Sequence, residues 1–151
     1  MLTVTRKLEF DAGHRIPNHQ SQCRNLHGHR YVLELTLIGT VIEKEAHSSQ
    51  GMLMDFSDIK RIAKQYVVDP WDHAFLVYEG DEKVVAFLKG MSDHKTIILP
   101  VIPTAENLVQ CIFNLLAPHY KSTFANQLSL GKVRLYETPN CWADYGPLVE
   151  I

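Results

Sequence analysis

Two stretches of strict polar/apolar alternation constrain this chain more than any other feature. From residue 2 to residue 14, Leu2, Val4, Leu8, Phe10, Ala12 and His14 fall on one side of an extended segment, interrupted only by Arg6, while Thr3, Thr5, Lys7, Glu9 and Asp11 fall on the other. A second run places His27, His29, Tyr31, Leu33, Leu35 and Leu37 on one face before Gly39 and a polar stretch reaching Gln50. A period of two belongs to a β-strand with one buried side. Each apolar face ends in histidine: His14 closes the first, and His27 and His29 open the second. Three imidazoles therefore meet where two adjacent strands finish.

The period then changes. Phe56, Ile59, Ile62, Ala63 and Tyr66 recur at helical spacing, with Asp55 or Ser57 as N-cap and Pro70 as the expected stop. After Pro103-Thr104 the stripe Leu108, Cys111, Ile112 and Leu115 predicts a second helix, closed by Pro118. Glu82 to Met91 suggests a short helix, Thr96 to Leu99 a short strand, and Lys132 to Glu137 the last long strand, with Val133, Leu135 and Glu137 on one face. The Val149–Ile151 tail is expected to pair at an edge. Strands, then helices, then strands imply an α+β fold, an antiparallel sheet with two main helices on one face.

At 151 residues with no repeat or linker-like stretch, residues 1–151 suit a single domain. A formal net charge of −2 supplies no global field for nucleic acid or an anionic membrane, so any phosphate must be met locally. The alternating start differs from a signal peptide, and no apolar run reaches membrane-spanning length. The three cysteines, Cys23, Cys111 and Cys141, fit no CxxC pattern and suggest reduced thiols. A cytoplasmic protein is expected.

Three histidines suit Zn2+ and leave one position for water or substrate, the pattern of a catalytic site. Other readings stay open. The histidines could be satisfied separately by backbone or water. Cys23 could complete a tetrahedron, making the metal structural and the protein a non-catalytic module, or could stand beside the metal as a thiolate base. A three-histidine zinc hydrolase would make Cys23 dispensable.

Phe10-Asp11-Ala12-Gly13-His14, Cys23-Arg24-Asn25-Leu26-His27-Gly28-His29, Asp72-His73, Pro103-Thr104-Ala105-Glu106-Asn107 and Tyr136-Glu137-Thr138 occur in an order that resembles the 6-pyruvoyl-tetrahydropterin synthase family. The four-residue step from Cys23 to His27 is similar to the branch that forms 6-carboxy-tetrahydropterin in queuosine biosynthesis. The resemblance implies a tunnelling fold (T-fold), a homohexamer built from two trimers with active sites between chains, and a pterin triphosphate, dihydroneopterin triphosphate, as substrate. It implies His14, His27 and His29 as zinc ligands, Cys23 as base, and Asp72 and His73 as an acid/base pair. Glu137 would accept two pterin N–H groups, and Thr104 and Glu106 would also touch the ring.

Each assignment has a plainer counterpart. Asp72-His73 can be a corner after Pro70-Trp71, Glu137 can pair with a basic residue, and Thr104 and Glu106 can serve the helix start. Arg15, Arg24 and Arg30 flank the metal motifs as candidates for the triphosphate. His19, His47, His94 and His119 match no motif, and Cys111 reads as core. Trp142, Tyr145 and Cys141 are candidates to wall the ring pocket. The chain departs from the family in having Leu76-Val77 where Leu-Asn is common, and in a longer span between His73 and Thr104, with the extra segment around Asp81 to Asp93.

Overall fold

The computed structural model describes residues 1–124 and 127–150. The two alternating segments form β1 (Leu2–His14) and β2 (His27–Gly39), paired antiparallel along their whole lengths, with Leu2 opposite Gly39 and His14 opposite His27. Alternation matches burial: Leu8, Phe10, Ala12, Tyr31, Leu33, Leu35 and Leu37 are buried, while Thr5, Lys7 and Glu9 face solvent.

The first helical region comprises α1 (Phe56–Ala63), a wider π-type turn over Lys64–Val68, and α2 (Asp69–Trp71). Asp55 caps α1 by accepting the Ser57 N–H at 2.8 Å. Pro70 does not stop the helix as expected. It follows the wider turn in backbone that stays helical through Val68 and Asp69, and the chain runs on to the buried Trp71. Phe56 is exposed, and Ile59, Ile62 and Ala63 carry the contact with the sheet.

Next come β3 (Ala74–Tyr78), α3 (Glu82–Lys89), β4 (Thr96–Leu99) and α4 (Ala105–Thr123). The buried stripe of α4 is Leu108, Val109, Ile112, Leu116 and Tyr120; Leu115 is exposed and Cys111 half-buried. Pro118 lies inside α4. An internal proline costs roughly 3 kcal/mol, and burial of Leu116 and Tyr120 on either side offsets it. The Tyr120 hydroxyl also donates to the Ile59 carbonyl at 2.8 Å, tying α4 to α1.

Strands β5 (Leu128–Thr138) and β6 (Cys141–Tyr145) complete a six-stranded sheet in the order β4-β3-β1-β2-β5-β6. It is mixed, not purely antiparallel: β3 runs parallel to both β1 and β4. The edge strand is β6, not the tail: Val149 and Glu150 form no strand, and Ile151 lies outside the described residues. The register of β5 against β2 slips between Thr36 and Leu37, leaving Gly131 as the extra residue. Leu128 and Leu130 point inward before it, and Val133, Leu135 and Glu137 after it. That slip puts the Glu137 carboxylate on the inner face.

Candidate metal centre and adjoining cleft

The ends of β1 and β2 bring His14, His27 and His29 together, with ring centroids 4.6, 5.0 and 4.9 Å apart. One ring nitrogen from each lies within 4.8 Å of the others. Two of the rings are fixed through the main chain. His14 Nδ1 donates to the Pro103 carbonyl at 2.8 Å, and His27 Nδ1 to the Asn25 carbonyl at 2.6 Å. A carbonyl accepts only from N–H, so each neutral ring carries its proton on Nδ1 and a lone pair on Nε2.

Those two Nε2 atoms are 3.1 Å apart. Neither neutral ring has a proton to put between them. Burial, helped by the two neighbouring imidazoles, lowers the pKa of fully buried His14 to about 4, so this ring stays neutral at ordinary pH. His29 Nε2 is buried without a hydrogen-bond partner, and burial lowers the His29 pKa as well. Glu137 Oε1 stands 3.4 Å from His14 Nε2 and 3.5 Å from His29 Nε2. Electron-pair donors gathered at one point, with no proton between His14 and His27 and the His29 nitrogen unpartnered, suit a cation. In a tetrahedral zinc site with Zn–N of about 2.0–2.1 Å, neighbouring ligand atoms stand about 3.3 Å apart, close to the 3.1 Å between the His14 and His27 nitrogens, with the His29 nitrogen within 4.8 Å of both. The donor set fits Zn2+, and the carbonyls of Pro103 and Asn25 supply the outer hydrogen bonds that orient metal-binding imidazoles.

Glu137 also lines a cleft of about 290 Å³, together with Ile16, His19, Cys23, Thr104, Ala105, Glu106, Cys141 and Trp142. Cys23 sits in a single 3-10 turn, Gln22–Arg24, fastened by the Ile16 N–H bond to the Cys23 carbonyl at 2.8 Å. It is not in the three-histidine cluster. Thr104 caps α4, its hydroxyl accepting the Asn107 N–H at 3.2 Å, and it still borders the cleft. His19 matches no motif, yet it borders the cleft; its closeness in the chain to Cys23 is the signal the sequence carries.

Asp72 and His73 are elsewhere. They pair at 3.0 Å, and Asp72 Oδ1 accepts the Asp11 N–H at 2.9 Å, a bond that chiefly depresses the Asp72 pKa. His73 is 77% exposed, has φ of 62°, and borders a hollow of about 410 Å³ with Asp11, Gly13, Gly28 and Arg30. This hollow, also lined by Ala12, His29 and Ala74, opens on the outer side of the sheet. Neither residue reaches the Cys23 cleft within one chain. The three arginines are engaged: Arg15 by Asp81, Arg30 by Glu9 and Asp11, and Arg24 by the carbonyls of Gln20 and Ser21.

The family model for 6-pyruvoyl tetrahydropterin synthase matches residues 3–147. The chain belongs to that family. Relatives named 6-carboxy-5,6,7,8-tetrahydropterin synthase include one from Rickettsia bellii, 37% identical over 95% of this chain and 99% of the relative. Another, from Haemophilus influenzae, is 35% identical over 96% and 99%. Among solved structures, Caenorhabditis elegans 6-pyruvoyl tetrahydropterin synthase superposes with a TM-score of 0.64 at 28% identity, covering 96% of this chain and 94% of that one. A Wolinella succinogenes protein reaches a TM-score of 0.77 at 16% identity over 97% and 98%, a likeness of fold alone. The curled mixed sheet with helices on one face is the T-fold of the family. Among the described residues no helix is long and apolar enough to cross a membrane.

Proposed function

We propose that this protein is a zinc-dependent lyase that converts 7,8-dihydroneopterin triphosphate and one water to 6-carboxy-5,6,7,8-tetrahydropterin, releasing acetaldehyde and triphosphate, as in queuosine biosynthesis. The observation that carries the reading is the junction of two features at Glu137: three convergent imidazoles on one side, and a ring-sized cleft containing Cys23 on the other. The name shared by relatives at 33–37% identity supports the carboxy product.

His14, His27 and His29 would hold Zn2+, which when bound supplies a Lewis acid for the hydroxyl-bearing side chain of the substrate. Glu137 accepts the adjacent N–H groups of the pterin and fixes the ring, with Thr104 and Glu106 bordering it. Cys23 takes and returns protons on the side chain. Asp72 orients His73, which acts as its acid/base partner. Since this pair faces the outer side of its own sheet, it serves the cleft of a neighbouring subunit, in a homohexamer of two trimers. Such an assembly also covers the exposed edges β4 and β6. The proposed setting is the cytoplasm, with residues 1–151 acting as one domain.

The test is to incubate the purified zinc-loaded protein with dihydroneopterin triphosphate and identify every product. A 6-carboxy pterin with acetaldehyde supports the reading. A 6-pyruvoyl product assigns the chain to the other branch, and an unchanged substrate makes it a non-catalytic module of the same fold.

A further inference from the structure

The segment from Asp81 to Lys95, between His73 and Thr104, reaches both groups of proposed catalytic residues. At its start, Asp81 is buried, with 5% of its side chain exposed, and both carboxylate oxygens meet Arg15, Oδ2 to Nε and Oδ1 to Nη2, each at 2.6 Å. Asp81 immediately precedes α3, where an aspartate ordinarily accepts an N–H from the first turn. It makes no such bond. Its hydrogen-bonding capacity is directed at Arg15, the residue after His14, whose pKa this contact raises. Arg15 Nη1 in turn reaches toward the Arg24 carbonyl at 3.5 Å, and the next residue, Ile16, holds the Cys23 carbonyl.

At the other end, Lys95 Nζ donates to the carbonyls of Asp69 at 2.6 Å and Asp72 at 2.5 Å. These carbonyls belong to the close of α2, where carbonyls lack partners within the helix. A cation there holds the corner at which His73 takes its positive φ. The Lys95 carbonyl also accepts the Phe75 N–H at 3.0 Å, so the same residue fixes both sides of that corner.

We infer that Asp81–Lys95 is a positioning brace, with Asp81 setting the loop that carries Cys23 and Lys95 setting the corner that carries Asp72 and His73. This rests on the roles proposed above for those residues, and it makes Asp81, Arg15 and Lys95 positioning residues. A bidentate pair and a two-carbonyl clamp at opposite ends of one segment couple its conformation to two parts of the reaction.

Four zinc-loaded variants test the brace: Asp81→Asn, Asp81→Glu, Lys95→Met and Lys95→Arg. Each is read by kcat and KM on dihydroneopterin triphosphate, by zinc content, and by the rate at which iodoacetamide alkylates Cys23, with Cys111 and Cys141 as internal references. Misplacement of a reacting group by a fraction of an ångström lowers kcat about tenfold. Asp81→Asn is expected to lower kcat by that factor and change Cys23 alkylation several-fold, with zinc content and KM held. Lys95→Met is expected to lower kcat similarly while leaving Cys23 alkylation as in the parent. Asp81→Glu and Lys95→Arg should each recover part of the loss.

Unchanged kcat in both Asp81→Asn and Lys95→Met, with only a lower melting temperature, overturns the brace. Should Asp81→Asn fail to fold, Arg15→Lys removes the fork while keeping the charge and is read the same way. If the parent protein turns over no substrate, the proposed function fails separately. Amide hydrogen exchange over residues 15–25 and 69–75 then decides the brace: faster exchange at 15–25 in Asp81→Asn and at 69–75 in Lys95→Met supports it, and parent-like exchange at both overturns it.

Discussion

The two faces of the β1–β2 ribbon hold their polar groups in different ways. On the inner face, His14 and His27 are fastened to main-chain carbonyls, and His29 points an unpartnered nitrogen at the same spot. On the outer face, Glu9, Asp11 and Arg30 bond to one another in solvent, and the Asp72–His73 pair stands 39% and 77% exposed. Rings fastened to main-chain carbonyls keep their geometry before any ligand arrives, His14 within the core and His27 nearer solvent. Asp72 is fastened to the Asp11 N–H, whereas the exposed His73 ring is held by Asp72 and gains from a second surface. The inner set therefore converges within one chain, and the proposed role of the outer pair is in a neighbouring subunit.

The strongest challenge to that contrast is His29→Ala. Removing one of three imidazoles should abolish zinc retention and lower turnover by roughly 10³-fold or more, measured by metal analysis and product formation. Cys23→Ala should lower kcat by roughly 10²–10⁴-fold while zinc content stays at the parental level. Lost zinc would instead make Cys23 a ligand. His73→Ala should show a similar loss, and, under the proposed shared site, mixed assemblies of Cys23→Ala and His73→Ala chains should regain activity. No regain on mixing would place both groups in one chain's site and break the contrast.

Smaller effects sharpen it. Glu137→Gln removes charge-assisted bonds worth about 1.5–3 kcal/mol each, so KM should rise roughly ten- to hundredfold with zinc retained. Arg134 and Asp144, paired at 2.7 and 2.8 Å between β5 and β6, serve as the quiet control. The bond from Arg134 holds the Asp144 pKa below its ordinary value. A depressed carboxylate contributes stability above its unfolded pKa of about 3.9, and that contribution is lost as pH falls from there through the folded value. Arg134→Met should remove this part of the acid limb of the unfolding profile and cost about 1 kcal/mol or less at neutral pH.

The inner site was legible because it is written in local alternation: a period of two assigns His14, His27, His29 and Glu137 to one face without knowledge of the fold. The departures have physical causes. Ala74, Leu76 and Val77 are all buried, so β3 lacks the alternation that marks a half-exposed strand, and its parallel pairing joins residues some sixty positions apart. The Gly131 slip reverses the phase of β5 and conceals its first half. Pro70 and Pro118 read as stops, yet one follows a wider turn in backbone that stays helical and the other is outweighed by burial. The Arg15–Asp81 pair spans 66 positions with no periodic trace. Asp72-His73 could be picked out from family resemblance, but its placement on the outer face depends on where β3 docks.

X-ray absorption at the zinc edge, together with metal stoichiometry on the purified protein, tests the convergence of the three imidazoles most directly. The predicted result is one zinc per chain with three imidazole nitrogens at about 2.0 Å and a remaining shell of light oxygen atoms. A sulfur scatterer at about 2.3 Å would close the site with Cys23, and a protein that retains no zinc would remove the centre altogether; either contradicts the account.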